Sequence, residues 1–95
     1  MGATTFITTS HGKTAKEAFE NARNAALHAH GHDGYTGTIA EKSEFKMCTK
    51  PAHLDLQAFA FLMIEADSQI EDKWGPAGCV EIAPGQFAFF GVASE

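Results

Sequence analysis

The segment "HAHGHDGYTG", residues 28–37, gathers side chains that could do chemistry. It holds three of the chain's five histidines together with an aspartate, a tyrosine and three glycines. Imidazole and carboxylate groups can ligate a metal or move a proton, and a glycine-rich backbone can turn its amides toward an anion. The segment is therefore compatible with a metal site, a catalytic loop, a ligand-binding loop or the end of a helix.

A metal site needs several of these side chains to converge. His28, His30, His32 and Asp33 are all competent ligands, and His28 and His32 would share one helix face at i and i+4. Gly31 is expected to end the helix between them. The histidines of the last turn are then explained by the favourable interaction of imidazolium with the helix dipole. We predict neither a metal site nor a cofactor.

Nucleophilic catalysis has little support in the sequence. None of the serines lies in a GxSxG turn, and no cluster of cations stands beside either cysteine. Cys48 and Cys79 lack the paired spacing of a zinc site, so we expect both to be reduced and buried. An enzyme that uses His32 with Glu41, or with a bound metal, to hydrolyse a nucleotide or another phosphoester is the alternative. The sequence favours binding over catalysis.

The glycines of this segment indicate a ligand-binding loop. They recur every third residue from Gly31 to Gly37, which frees the backbone for positive φ and lets amides face an anion. His32, Tyr35 and Thr36 project from between them. A plain connection between a helix and a strand would also explain the pattern.

A second loop, "EDKWGPAG" at residues 71–78, holds the only tryptophan of the chain. Trp74 follows Lys73, and the proline beside the glycines of this loop would stiffen it. An aromatic ring beside a cation suits a nucleobase and its phosphate, because the ring stacks on the base and the ammonium pairs with the charge. The alternative is that Trp74 fills the core. The residues predicted to bind the ligand are His32, Tyr35, Thr36, Lys42, Lys73 and Trp74.

Composition limits the partners of the protein. The chain has 95 residues, 44% of them hydrophobic, and a formal net charge of −5. No basic run is present that could neutralise a row of phosphates, so polymeric nucleic acid is a poor candidate partner. No apolar run is long enough to span a bilayer, and no secretion signal is apparent. We expect a cytoplasmic protein without a membrane partner.

The order of predicted elements gives the fold. A strand over 4–10 precedes a helix that begins near residue 15, where Thr14 and Glu17 form a capping box. A strand within 38–49 and a helix over 53–67 follow, with His53 as its cap. The chain ends in a hairpin that turns at Pro84 and Gly85. We predict a single α+β domain spanning 1–95, β-α-β-α-β-β, with a four-stranded, mainly antiparallel sheet and two helices packed on it.

The second predicted helix is apolar around its whole circumference. Leu56, Phe59, Phe61, Leu62, Met63 and Ile64 leave no wide polar face. A chain of this length can hardly cover such a helix by itself, because small domains have thin cores. We therefore predict a homo-oligomer formed through the second helix, with ordinary exposed apolar surface as the alternative.

Three segments carry a resemblance to a known group of proteins. "GHDGYTGTIAEK" (31–42), "DKWGPAG" (72–78) and "FAFFG" (87–91) resemble small proteins encoded by bacteriophages and prophages, which have no assigned activity. Unrelated phage proteins of this size enclose a nucleotide immune signal within a homo-oligomer and so counter host defence. The resemblance therefore implies an anti-defence protein that sequesters a small anionic, nucleotide-like ligand. A small hydrolase and an inhibitor that binds a host protein are the alternatives.

Overall fold

The computed structural model describes residues 2–30 and 36–94. Eight elements follow one another along this part of the chain. They are β1 (Ala3–His11), α1 (Ala15–His30), a 3-10 turn (Ile39–Glu41), β2 (Phe45–Met47), α2 (Leu56–Ala66), α3 (Ser68–Glu71), β3 (Ala77–Ala83) and β4 (Gln86–Ser94).

The four strands form one mixed sheet in the order β1-β4-β3-β2. β1 and β3 flank β4 and run antiparallel to it, and β2 runs parallel to β3. The α+β class, the element order and the mainly antiparallel sheet are confirmed. The sequence did not indicate that β2 would pair in parallel.

β4 lies in the middle of the sheet and has buried side chains on both faces. Phe87 and Phe89 pack against α1 in one cluster of buried residues. Ala88 and Phe90 pack against α2 and α3 in a second cluster. The sheet is therefore sandwiched between two helical layers, which explains why the strand reads as a continuous apolar run.

Local signals set two of the element boundaries as predicted. The hydroxyl of Thr14 accepts a hydrogen bond from the amide of Glu17 at 3.1 Å, and the Glu17 carboxylate accepts one from the amide of Lys13 at 3.2 Å. The first bond satisfies an amide that the first turn of α1 leaves free, and the second holds the residue that precedes the cap. The hairpin turns at Pro84 and Gly85, where Gly85 has a φ of 76°.

Two predicted elements are shorter in the structure than in the sequence analysis. The side chain of Thr38 accepts from the amide of Ala40 and starts a 3-10 turn, so β2 is confined to three residues. α2 begins at Leu56 because the Asp55 carboxylate caps it by accepting from the amide of Ala58. The prediction that His53 caps this helix is wrong; aspartate is the stronger cap.

Two glycines in the sheet lie under phenyl rings of neighbouring strands. A methyl group on Gly78 would overlap with the ring of Phe90, its partner across β3 and β4. A methyl group on Gly91 would lie 3.4 Å from the ring of Phe6, an ordinary contact. Of these two positions, only Gly78 therefore requires glycine because a neighbouring side chain approaches closely.

The β2 edge of the sheet carries an ion pair. The ammonium of Lys46 lies 2.6 Å from Oδ2 of Asp67, and Oδ1 of Asp67 accepts from the amide of Gln69 at the start of α3. The hydrogen bond from Lys46 is the main reason why the pKa of Asp67 lies below its usual range.

This ion pair predicts a dependence of stability on pH. Because folding lowers the pKa of Asp67, its contribution is complete above the pKa of the unfolded chain and is lost as pH falls through the folded value. We expect the free energy of unfolding to fall more steeply in the wild type than in Asp67→Asn between about pH 4 and pH 2. Urea unfolding at a series of pH values measures both slopes, with Lys46→Gln as a second variant that lacks the pair. Equal slopes would contradict the prediction.

Candidate functional site

The loop that carries Trp74 is held by its own backbone. Oδ1 of Asp72 accepts a hydrogen bond from the amide of Trp74 at 2.9 Å, and the carbonyl oxygen of Asp72 accepts one from the amide of Gly75 at 2.9 Å. A methyl group on Gly75 would overlap with the carbonyl oxygen of Gln69 in α3. Aspartate and glycine at these positions therefore fix the turn and let it pack closely on α3.

The buried side chain of Lys42 binds the same loop from the interior of the protein. Its side chain is 2% exposed, and Nζ donates to the carbonyl oxygens of Asp72 at 3.3 Å, Lys73 at 3.1 Å and Gly75 at 2.9 Å. An ammonium group has three N–H donors, so all of them are used. Burial lowers the pKa of Lys42, and the negative charge of Asp72 opposes that shift.

This placement gives Lys42 a role different from the predicted one. An ammonium that is buried and fully bonded to carbonyl oxygens would have to leave them to neutralise a ligand phosphate. Lys42 is therefore a positioning residue of the 72–75 loop. Nothing in the sequence distinguishes it from a solvated lysine, because the carbonyl groups that bind it come from a loop 30 residues later in the chain.

Trp74 lies on the surface above this clamp. Its side chain is 66% exposed, and Nζ of Lys73 lies 5.3 Å from the centre of the indole ring. The alternative that Trp74 fills the core is wrong. The structure instead exposes the indole with the Lys73 ammonium over its ring, a cation–π contact that brings together the aromatic and cationic groups expected of a ligand site.

Thr36 belongs to a polar cluster at the start of the 3-10 turn. Oε2 of Glu41 accepts from the amide of Thr36 at 3.1 Å and from its hydroxyl at 3.0 Å. The hydroxyl groups of Thr36 and Thr38 lie 2.7 Å apart. The cluster fixes Thr36 against the 3-10 turn, which Lys42 follows.

Thr36 and the loop of Trp74 are therefore connected through Lys42. Its backbone follows the 3-10 turn to which Thr36 is bonded, and its ammonium binds the loop of Lys73 and Trp74. Four of the six predicted site residues thus belong to one connected region. The other two, His32 and Tyr35, lie outside the described residues. The sequence analysis missed the positioning role of Asp72, although aspartate two residues before an aromatic and followed by glycine is a recognisable turn signal.

The cysteines do not form a reactive centre. The Cys79 side chain packs in the α1 layer, and that of Cys48 packs against the α2 layer, so the two thiols lie on opposite faces of the sheet. Both are free. Burial raises the pKa of Cys48 and raises that of Cys79 to about 12, so neither is a thiolate at neutral pH. Cys79 is buried as expected, but Cys48 is only partly buried, so the expectation of two buried cysteines is correct for Cys79 alone.

A cluster of three or more His, Cys, Asp or Glu side chains placed to hold a metal does not occur within residues 2–30 and 36–94. Residues 31–35 of the histidine-rich segment, His32 among them, lie outside these ranges. Over the same described ranges, no helix combines the length and the apolar character needed to traverse a bilayer. Comparison of the chain with protein-family models, with curated proteins and with solved structures gave no significant match.

Proposed function

We propose that the protein binds a small anionic, nucleotide-like ligand at Trp74 and Lys73 and does not convert it. The observation that supports this most is a tryptophan 66% exposed, beside an ammonium group, on a loop that a buried lysine holds rigid. The ring stacks on a nucleobase, and Lys73 pairs with its phosphate.

The rigidity of the loop supports binding, because little conformational entropy remains to be lost when a ligand binds. The clamp from Lys42, the Asp72 turn and the close approach of Gly75 to α3 all fix the backbone on either side of Trp74. A preorganised loop binds more tightly than a mobile one with the same contacts. His32, Tyr35 and Thr36 form the second wall in this proposal, with Tyr35 as the opposite stacking surface.

The resemblance to phage proteins supplies the setting of the proposal. If a phage encodes the protein, it would act in the host cytoplasm as an anti-defence protein that binds and sequesters a nucleotide immune signal. Binding without catalysis agrees with thiols that stay protonated. The predicted homo-oligomer through α2 remains a prediction, and the exposure of Phe61 at 43% and Leu62 at 52% supports it.

The test begins with native mass spectrometry of the protein before and after incubation with extract from defence-activated bacteria. An intact nucleotide recovered at a fixed ratio to subunits would identify the ligand. Titration of that compound should then show that Trp74→Ala weakens binding by about 1–3 kcal/mol, the usual value of one base stacked on an aromatic ring. Lys73→Met should weaken binding of the phosphorylated compound more than that of its nucleoside.

Two variants serve as matched controls for this titration. Ile82→Ala removes an exposed apolar side chain from β3, and Lys50→Met removes a lysine outside the loop. Both should leave the affinity unchanged. Wild-type affinity in Trp74→Ala would refute the site, and loss of the nucleotide with appearance of new products would show an enzyme instead.

A protein inhibitor is the second candidate function, and the exposed face of α2 favours it. Phe61 and Leu62 are large apolar side chains that the described part of the chain leaves in solvent. Such side chains are enriched where one protein binds another. This candidate predicts stable capture of one host polypeptide that Leu62→Asp abolishes and Trp74→Ala does not affect.

A further inference from the structure

We propose that the free edge of β1 pairs with the same strand of a second copy of this chain, so that two sheets join across a two-fold axis. This inference concerns a surface other than the ligand site and does not depend on it. It also differs from the predicted contact through α2. It follows from the direction of the backbone groups in β1, their lack of cover and the self-complementary sequence of the strand.

The hydrogen bonds at the two ends of β1 show which residues face outward. The amide of Gly12 donates to the carbonyl oxygen of Gly85 at 3.0 Å, so it continues the ladder with β4. At the other end, Ser94 is the partner of Ala3, but its carbonyl oxygen accepts from Gly37. Backbone groups alternate in direction along an antiparallel strand. Even-numbered residues of β1 therefore bond to β4, and odd-numbered residues point to the free edge.

Among the described residues, the outward backbone groups of β1 lack partners over most of the strand. The side-chain amide of Asn21 donates to the carbonyl oxygen of His11 at 2.8 Å and so covers one end. Within residues 2–30 and 36–94, nothing donates to or accepts from the outward groups of Thr5, Ile7 and Thr9. An open row of amides and carbonyls from Ala3 to Thr9 is a template for another strand.

β1 also lacks the features that usually protect an edge. Monomeric proteins block such strands with charged side chains, proline, bulges or short length. β1 spans Ala3–His11, pairs with β4 without a bulge, and has neither a charged residue nor a proline over 3–10. The opposite edge, β2, is only three residues long and carries Lys46. The contrast indicates that the β1 edge is covered in the working protein.

One register satisfies every open group of a strand paired with itself. With the two-fold axis at Phe6, Ala3 bonds with the partner's Thr9 and Thr5 bonds with the partner's Ile7. On the α1 face, Thr4 then lies opposite the partner's Thr8, and Phe6 lies at the axis with its ring over Gly91 of β4. Thr–Thr pairs are favourable across antiparallel strands. The sequence "ATTFITT" is thus complementary to itself in this register.

The surroundings of the edge suit a second copy of this chain. A groove of about 380 Å³ runs between β1 and α1, and its walls hold no charged side chain. Two molecules with a net charge of −5 each avoid repulsion by meeting at such an uncharged surface. A strand pair alone buries less than the roughly 800 Å² per subunit of a standard interface. The groove, which is lined by Thr8 and by small residues of α1 such as Ala25, offers further surface for contact with the partner.

Sedimentation velocity of the full chain and of Thr5→Lys tests the pairing. Thr5 is exposed, so the lysine should leave the fold intact by circular dichroism, but it places two ammonium groups near the axis and should halve the sedimenting mass. Thr49→Lys adds the same charge at an exposed threonine outside β1 and should stay dimeric, like the wild type. A monomeric wild type overturns the proposal. So does a dimer that survives Thr5→Lys and dissociates in Leu62→Asp, since the interface would then be α2.

Engineered cysteines test the register. In a Cys48→Ser background, the double variant Thr4→Cys with Thr8→Cys should form a covalent dimer on oxidation, because each new thiol faces the partner's other one. Thr8→Cys alone should stay monomeric on a non-reducing gel, since the partner's Thr4 lies opposite. Cross-linking of the single variant, or its absence in the double one, would contradict this register.

Discussion

Replacing Lys42 by methionine is expected to lower the free energy of unfolding by about 3 kcal/mol, because each hydrogen bond from a charged donor contributes roughly 1.5–3 kcal/mol and water replaces part of the loss. Methionine keeps an unbranched apolar side chain as far as Cε and lacks the ammonium group. It removes the donor that the carbonyl groups of Asp72, Lys73 and Gly75 share. Urea unfolding followed by circular dichroism measures the difference.

Lys50→Met is the matched control for this variant. The Lys50 ammonium also donates to carbonyl oxygens, to Leu54 at 2.7 Å and to Pro51 at 3.3 Å, but it lies nearer the surface and closes a local turn. We expect a loss below about 1 kcal/mol there. If Lys42→Met were as stable as the wild type, the 72–75 loop would not depend on the hydrogen bonds from Lys42.

The affinity of Lys42→Met for a ligand at Trp74 should also fall, although Lys42 contacts no ligand in our proposal.

Gly78→Ala should destabilise the fold by about 2–3 kcal/mol, in the range of overpacking substitutions in a core. The new methyl group would occupy the position of the Phe90 ring, and Phe90 is fully buried between the sheet and α2. The ring cannot move away without disturbing Phe59, whose ring centre lies 5.9 Å from its own. Thermal or urea unfolding measures the loss.

Gly91→Ala gives the control from the same sheet. It also lies under a phenyl ring, but its methyl group would have ordinary contacts, so we expect a change below about 1 kcal/mol in either direction. The cost of Gly78→Ala should shrink in a Phe90→Leu background if the ring causes it. Equal effects of the two alanines would show that loss of backbone freedom, and not the ring, explains the result.

The sequence predicted those features of the fold that depend on neighbouring residues. The Thr14 cap, the turn at Gly85 and the two buried faces of β4 all follow from patterns a few residues long. The short length of β2 could not be predicted, because threonine at position 38 is as typical of a strand as it is of a helix cap. The hydroxyl of Thr38 caps the 3-10 turn instead.

The candidate site was predicted less completely than the fold. The exposed Trp74 beside Lys73 could be anticipated, since both stand in one stiff loop. The burial of Lys42 could not, because it depends on a contact between two distant segments. A lysine reads as a free cation until the tertiary structure shows which carbonyl oxygens surround it.

The pairing of β1 with β4 also has a consequence for how the chain folds. Residues 3–11 acquire their only partner within the described sheet from residues 86–94, so the sheet cannot close before the last strand leaves the ribosome. Contacts between such distant segments are formed slowly, since a long loop must close before they stabilise anything. During that interval both edges of β1 are open, and newly made chains risk aggregating through the same strand that we propose joins two finished ones.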